Sequence, residues 1–319
     1  MQNEMQTPQL YDDEIDLREL ASVIWAGKKI IVAITGLCTI TALIVVLAIP
    51  NQYKATAVIS PAKSGGSSML GAMASQFGGL ASLAGIKVPG DEGGEAEAAK
   101  EIMQSWGFIE EFIQTNSLQE EIFAADDWDR ETNQLSYDSN LYDSEEGIWV
   151  RNPPAGKTIE PTSWELYENF SKRLSLATDS QTGMISLSIE HYSPLLAKQW
   201  VELYITTINN YMRARKLEQA NRNIEYLEAQ IDKTAIAGMK EVFYQIIEEQ
   251  IKNKMIAEAS PEYAFVTVNK AMMPEEKSTP KRSLICILAL LLGAMISIFT
   301  VLVIHYGKQP HRNKRIAKN

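Results

Sequence analysis

The apolar positions of this chain follow two kinds of pattern. Residues 30–49 and 284–304 are continuous apolar runs without a charge or a proline, whereas between them apolar residues recur at strand or helical spacing. Each run is about 20 residues, which at about 1.5 Å per residue matches a hydrocarbon core of about 30 Å. A helix pairs its own backbone groups, so such a run is stable in lipid and costly in water. The pattern predicts two membrane helices, with residues 50–283 forming a large domain between them.

Inside that domain the periodicity changes several times. Residues 53–60, YKATAVIS, are rich in β-branched side chains and partly alternating, which predicts a strand. Residues 64–94 hold nine of the chain's 18 glycines, too many for a stable helix, and predict a partly ordered loop with a short helix near 69–83. In 95–115, Ala96, Ala99, Met103, Trp106, Ile109, Phe112 and Ile113 recur at three- and four-residue steps, as in one helix. The acidic stretch 126–140 reads as a solvated loop, and a short helix is expected at 163–171 after Pro153, Pro154 and Pro161. Residues 173–190 predict a β-hairpin, because Leu174 and Leu176, then Ile185, Leu187 and Ile189, alternate with polar neighbours around a turn at 179–183.

Ser193 and Pro194 then offer an N-cap hydroxyl and a first-turn proline. Helix formers continue to residue 231, and a second helix is expected at 239–259. Leu217, Ala220, Ile224, Leu227 and Ile231 alternate three- and four-residue steps, the seam of a helix that packs along another helix. At about 60 Å the first helix exceeds the width of a compact domain of this size. Its seam is buried by the second helix folding back, by neighbouring copies of the chain, or by both. Residues 263–270 read as a returning strand. The expected fold class is α+β: a base of about four strands from 53–60, 173–190 and 263–270, carrying a helical arm at 193–259.

Charge orients this layout. Lys28 and Lys29 precede the first run, while Lys308, Arg312, Lys314, Arg315 and Lys318 follow the second in a basic tail at 305–319. Positive charge stays on the cytoplasmic side, so residues 1–29 and 305–319 are expected there, with 50–283 exported. Lys277, Lys281 and Arg282 weigh the other way, but long loops translocate largely regardless of charge. The tail suits anionic lipid head groups as well as solvent. The acidic leader, the length of the first run and the lack of an A-x-A site favour an uncleaved anchor over a signal peptide. In the leader Ile15, Leu17, Leu20, Val23 and Ile24 suit a helix on the membrane surface. Cys38 and Cys286, the only cysteines, lie inside the runs, so the domain between them is held without disulfides.

No catalytic constellation stands out. Residues 50–283 contain one histidine, His191, expected as a core or surface residue rather than a base. GxSxG, HExxH, CxxC and GxxxxGK[ST] are all missing, and no cofactor is implied. Asp127, Asp129 and Glu131 alternate like the start of a calcium loop, but Thr132 stands where that loop needs glycine. With 34 acidic and 22 basic residues in 50–283, the domain disfavours nucleic acid as a partner. Trp106, Trp128, Trp149, Trp164 and Trp200 could stack on sugars, with core packing the more frequent job for most.

Around the second run the sequence resembles the Wzz-type polysaccharide co-polymerases, the O-antigen chain-length determinants. That family's pattern is P-x2-P-x4-S-P-K, eleven residues, then G-G-M. The matching positions here are Ala271, Pro274, Thr279, Pro280, Lys281, Gly293, Ala294 and Met295, with alanine for the first proline, threonine for serine and alanine for the second glycine. Residues 188–200, SIEHYSPLLAKQW, also look like the family's strand-to-helix junction. The resemblance implies a non-catalytic regulator of polysaccharide length in the inner membrane. It further implies a ring of about eight copies that works with the O-antigen polymerase on lipid-linked polysaccharide. A related expectation is an adaptor of a capsule or exopolysaccharide system paired with a separate tyrosine kinase. From a different class, a membrane-anchored glycan enzyme would need converging carboxylates, and an export-pump adaptor would need a docking tip.

Overall fold

The structure, a computed structural model, describes residues 17–62 and 92–307; the helix expected near 69–83 and residues 308–319 of the basic tail lie outside that range. Helix α1 (Leu17–Ala26) runs almost directly into α2 (Lys28–Ala48), with only Gly27 between them, whose amide donates to the Val23 carbonyl at 3.0 Å. Strand β1 (Tyr53–Pro61) follows. The region 95–115 is two helices, α3 (Glu92–Gln104) and α4 (Trp106–Thr115), and not one. Ser105 makes the break: it is extended at φ −73° and ψ 146°, and its side chain accepts from the Phe108 amide as the N-cap of α4. The turn at Ser105 aims Phe108, Ile109, Phe112 and Ile113 into the core beside Ala99 and Met103.

A short helix α5 (Gln119–Phe123) leads into a second departure from the sequence reading. The acidic stretch is no solvated loop but a hairpin, β2 (Ala125–Asp129) with β3 (Gln134–Tyr137). Its acidic residues make the turn: the Asp129 carboxylate accepts from the Glu131 amide at 2.8 Å, and Asn133 takes φ 54°. A residue that competes with the backbone for hydrogen bonds favours turns, so acidity here marked the reversal and hid the strands beside it. A two-residue ribbon, β4 (Tyr142–Asp143) with β5 (Ile148–Trp149), comes next. Helix α6 (Ser163–Arg173) starts in a capping box, Thr162 and Glu165 each bonding the other's backbone amide. It passes straight into the hairpin β6 (Leu174–Thr178) and β7 (Ile185–His191). Then come the 40-residue α7 (Pro194–Lys233), α8 (Ala237–Ala259), β8 (Phe265–Asn269) and α9 (Arg282–Gly307).

The chain divides into two units, residues 51–278 and residues 1–50 with 279–319. In the larger unit four antiparallel strands lie in the order β6-β7-β1-β8. Alternation gives the sheet one apolar face: Ala55, Ala57 and Ile59 of β1 pair with Ile189, Leu187 and Ile185 of β7, all buried. The opposite face is polar, with the Thr56 and Ser188 hydroxyls 2.9 Å apart. Against the apolar face packs the first half of α7, through Ala197, Trp200, Val201, Tyr204, Ile205 and Ile208. Phe108, Phe112 and Phe170 surround the Tyr204 ring at centroid distances of 5.3, 4.8 and 5.5 Å.

A buried polar residue locks this helix to the sheet. Asn209, 3 % exposed, accepts from the Ala264 and Phe265 amides, both at 2.8 Å, and donates to the Phe265 carbonyl at 2.9 Å. One amide side chain thus satisfies three backbone groups at the start of β8. Asn209→Ala should destabilise the full-length protein by about 3 kcal/mol, since it strands buried donors. Thermal unfolding in detergent should show the lowered midpoint, and Asn209→Asp should recover only part of it.

Candidate functional site

In the smaller unit α2 and α9 lie side by side, and small residues set their approach. Gly293, Ser297 and Val301 are buried at steps of four along α9. A Cβ on Gly293 would lie 3.1 Å from the Cys38 Cβ and 3.3 Å from the Thr35 Cα, so any larger residue must push the two helices apart by a few tenths of an ångström. The Thr35 and Ser297 hydroxyls meet at 3.3 Å beside it. Gly27 makes a second close approach, with the Val301 side chain occupying the space a Cβ would take. That residue escaped sequence reading; a glycine at the joint of two helices was its one signal. Helix α1 packs against α9 with Val23 buried, so the leader helix is partly occupied by protein and not only by a surface. The remaining sides of α2 and α9 are exposed apolar residues such as Leu37, Ile44, Leu291 and Phe299. Lys28 caps the aromatic end of α1, its Nζ 4.9 Å from the centre of the Trp25 ring.

The family-pattern residues are divided between the two units. Of them, Gly293 is in the helix contact, whereas Met295 is 68 % exposed and Lys281 is exposed. Pro280 follows a cis peptide bond and gives its carbonyl to the Arg282 amide at 2.9 Å, at the start of α9. In the larger unit Ala271, the alanine that stands for the pattern's first proline, is buried in the core. Pro274 lines a cavity of about 700 Å³ with Tyr53, Trp128, Arg130, Asn133 and Leu195. Trp128 is fixed there by an edge contact with Tyr53 at 5.7 Å and by its indole N–H donating to Asn133 at 3.1 Å.

Ala220 and Ile231 are buried and Leu217, Ile224 and Leu227 half-buried on α7, which packs against α8. A three-residue turn makes the pair antiparallel, and the Asn223 amide reaches Gln250 of α8 at 3.4 Å. Only Ile247 and Ala257 of α8 are fully buried by this pairing. Met239, Val242 and Ile246 remain exposed on one flank of α8, and Tyr244, Ile251 and Met255 on the other.

Two titratable groups buried in the larger unit, His191 and Glu165, make structural contacts. His191 is 1 % exposed; its Nδ1 accepts from the Ser193 amide at 3.0 Å, and its ring lies 4.5 Å from that of Trp200. Burial, then the nearby Arg173 charge, push its pKa down to about 3, so it is neutral at pH 7. Glu165 is paired with Arg151 at 2.9 and 3.1 Å, and that hydrogen-bonded contact holds its carboxyl well below the usual carboxylate range. Among the described residues no three His, Cys, Asp or Glu side chains are grouped to hold a metal.

These features define a class: a mixed α/β protein with a four-stranded sheet, one very long helix, and two helices long and apolar enough to cross a membrane. Residues 13–116 match the family model described as Wzz, chain length determinant protein. The matched stretch takes in α1, α2, β1, α3 and α4. No curated protein matches the chain. Among solved structures it is similar to a full-length bacterial polysaccharide co-polymerase, at 14 % identity over 93 % of this chain and 100 % of that one, with a TM-score of 0.38. It is also similar to a fragment of WzzB, a polysaccharide co-polymerase from Salmonella Typhimurium, at 14 % identity over 72 % and 100 %, with a TM-score of 0.27.

Two outcomes follow from this geometry. In a Cys286→Ala background, Gly293→Cys puts a thiol beside Cys38 once the helices yield the few tenths of an ångström that disulfide geometry needs. Mild oxidant should then give an intramolecular bridge, read as a mobility shift on a non-reducing gel and absent when Cys38 is also replaced. The depressed His191 pKa means that the unfolded chain binds a proton between pH 6.5 and 3 that the folded chain refuses. Stability should therefore fall as pH drops through that window, approaching about 1.4 kcal/mol per pH unit. Thermal midpoints between pH 7 and 5 should show this slope, and His191→Asn, which keeps an acceptor for Ser193, should flatten it.

Proposed function

We propose that this chain is a non-catalytic regulator that sets the length of a surface polysaccharide, working as a ring-forming co-polymerase of the inner membrane. The observation that carries the reading is the chain-length-determinant match over residues 13–116. The two apolar helices supply the anchor, and the lysines at the start of α2 with the basic tail orient it: residues 1–29 and 305–319 in the cytoplasm, residues 50–283 in the periplasm. In this reading the partners are further copies of the chain, the O-antigen polymerase, its lipid-linked polysaccharide and membrane lipid.

Self-association has its own physical support. Helix α8 uses one narrow face against α7 and leaves apolar residues on both flanks exposed. An exposed apolar face this extended is costly in water and marks an interaction surface. A neighbouring α7–α8 pair, carrying the same faces, would bury it, and repetition of a head-to-tail contact closes a ring. The acidic balance of the domain keeps it off anionic surfaces while it handles a polymer.

Deleting the gene should leave polymer synthesis intact and abolish its preferred length, seen as a continuous ladder of products on a gel. Complete loss of polymer would instead indicate an enzyme or an obligatory export component. Val242→Glu with Ile246→Glu places charge on the exposed flank of α8. This variant should stay folded, reduce the assembly to smaller species by native mass measurement in detergent, and reproduce the deletion ladder.

A further inference from the structure

The larger unit has a second cleft, of about 590 Å³, bounded by α4, α5, β5 and the N-terminal end of α6. That volume lies in the range of small-ligand sites, about 300–1,000 Å³. Its chemistry is distinctive. Trp149 forms an aromatic wall, Gln114 and Gln119 contribute amides, Ser163 a hydroxyl, and Glu120 and Glu160 carboxylates. No lysine or arginine lines it. We propose that this cleft is a binding subsite for an uncharged, hydroxyl-rich oligosaccharide, a short segment of the polymer whose length is being set.

The lining discriminates between ligand classes. A phosphate or a uronic acid would meet carboxylates with no cation to offset them, and a purely apolar ligand would strand the amides and carboxylates without partners. A sugar ring meets both demands. Its apolar C–H face lies flat on an indole, and its hydroxyls donate to carboxylates and exchange hydrogen bonds with amides.

The walls are fixed before any ligand arrives. Trp149 is held between Tyr142 at 5.1 Å and Phe123 at 5.9 Å. The opposite wall is tied by Arg151, 6 % exposed, which donates to the carbonyls of Thr158, Ile159 and Glu160 at 2.8, 2.7 and 3.2 Å. The same guanidinium grips Glu165, which Lys157 also reaches at 2.9 Å and which caps α6 through Thr162. On the third side, Glu110 is oriented by the Gln114 amide at 3.3 Å. Rigid walls spare a ligand the entropy of ordering them, which matters for a weakly held, mobile polymer.

The chemical class of the ligand stands on this lining; its source rests on the length-regulator reading above. The test uses the full-length protein in lipid nanodiscs and three probes: surface polysaccharide released from the source strain by mild acid, maltohexaose, and oligogalacturonate as the acidic control. Titration calorimetry should show binding of at least one neutral probe and none of the acidic one. Trp149→Ala should weaken it about tenfold, and the exposed-side variants Gln119→Ala and Glu160→Ala several-fold, with unchanged thermal midpoints for the latter two. The proposal is overturned if no saccharide binds, if the acidic probe binds as well as the neutral ones, or if affinity is unaltered in Gln119→Ala, Glu160→Ala and Trp149→Ala. Neutral probes binding at the cleft while the gene deletion leaves polymer length unchanged would uphold the subsite and reject the length-regulator reading. A changed ladder with no saccharide binding would do the reverse.

Discussion

The antiparallel pairing of β1 with β7 on one side and β8 on the other is the constraint on which the larger unit depends. Four residues separate α2 from β1, and β8 lies on the approach to α9, so the central strand and one of its neighbours come from opposite ends of the unit. The closure continues past the strands, where the Ser278 amide donates to the Gln52 carbonyl at 2.8 Å and Lys277 reaches Asn51 at 3.2 Å. The chain therefore enters and leaves this unit at adjacent points. A segment clamped at its base in this way can project a long helical excursion without loosening its ends.

Burial along α7 shows how the excursion is supported. Its first part, from Pro194 to Asn209, is packed into a core of aromatic rings and β-branched strand residues. Beyond that point the buried positions thin to Ala220 and Ile231, and the helix has only α8 beside it. Local stability should follow contact density, high at the sheet and low at the Thr234–Ile236 turn. Asn209 stands at the boundary, tying the last well-packed turn to the first residues of β8. Arg151 does comparable work elsewhere, because one guanidinium organises a loop, an ion pair and a helix cap. Both are buried polar groups whose partners are nearly all backbone or charged, the condition under which burial is tolerable.

The same economy shapes the functional reading. Exposed apolar residues on α8 and the Trp149 cleft are the features that the proposed assembly and ligand binding draw on, whereas the Glu165 carboxylate is held in a structural ion pair with Arg151. On the proposed reading, polymer length is set by rigid surfaces and repeated copies and not by a reactive group.

Sequence alone determined the elements whose signal is local and periodic. The two apolar runs and the hairpin at Leu174 to His191 repeat at the spacing of the structure they form, and Ser193 with Pro194 marks the start of α7, so the pattern names the element. Tertiary structure decided what depends on residues distant in the chain. Ser105 splits a continuous helical pattern because Phe108 and Phe112 must reach Tyr204. Asn209 reads as one more helix residue until Phe265, 56 positions later, lies beside it. The five tryptophans of the larger unit were equivalent as letters, yet Trp200 is core, Trp106 and Trp164 are exposed, and Trp128 and Trp149 wall the clefts. Periodicity reports which face of an element is apolar, but only packing determines what that face meets.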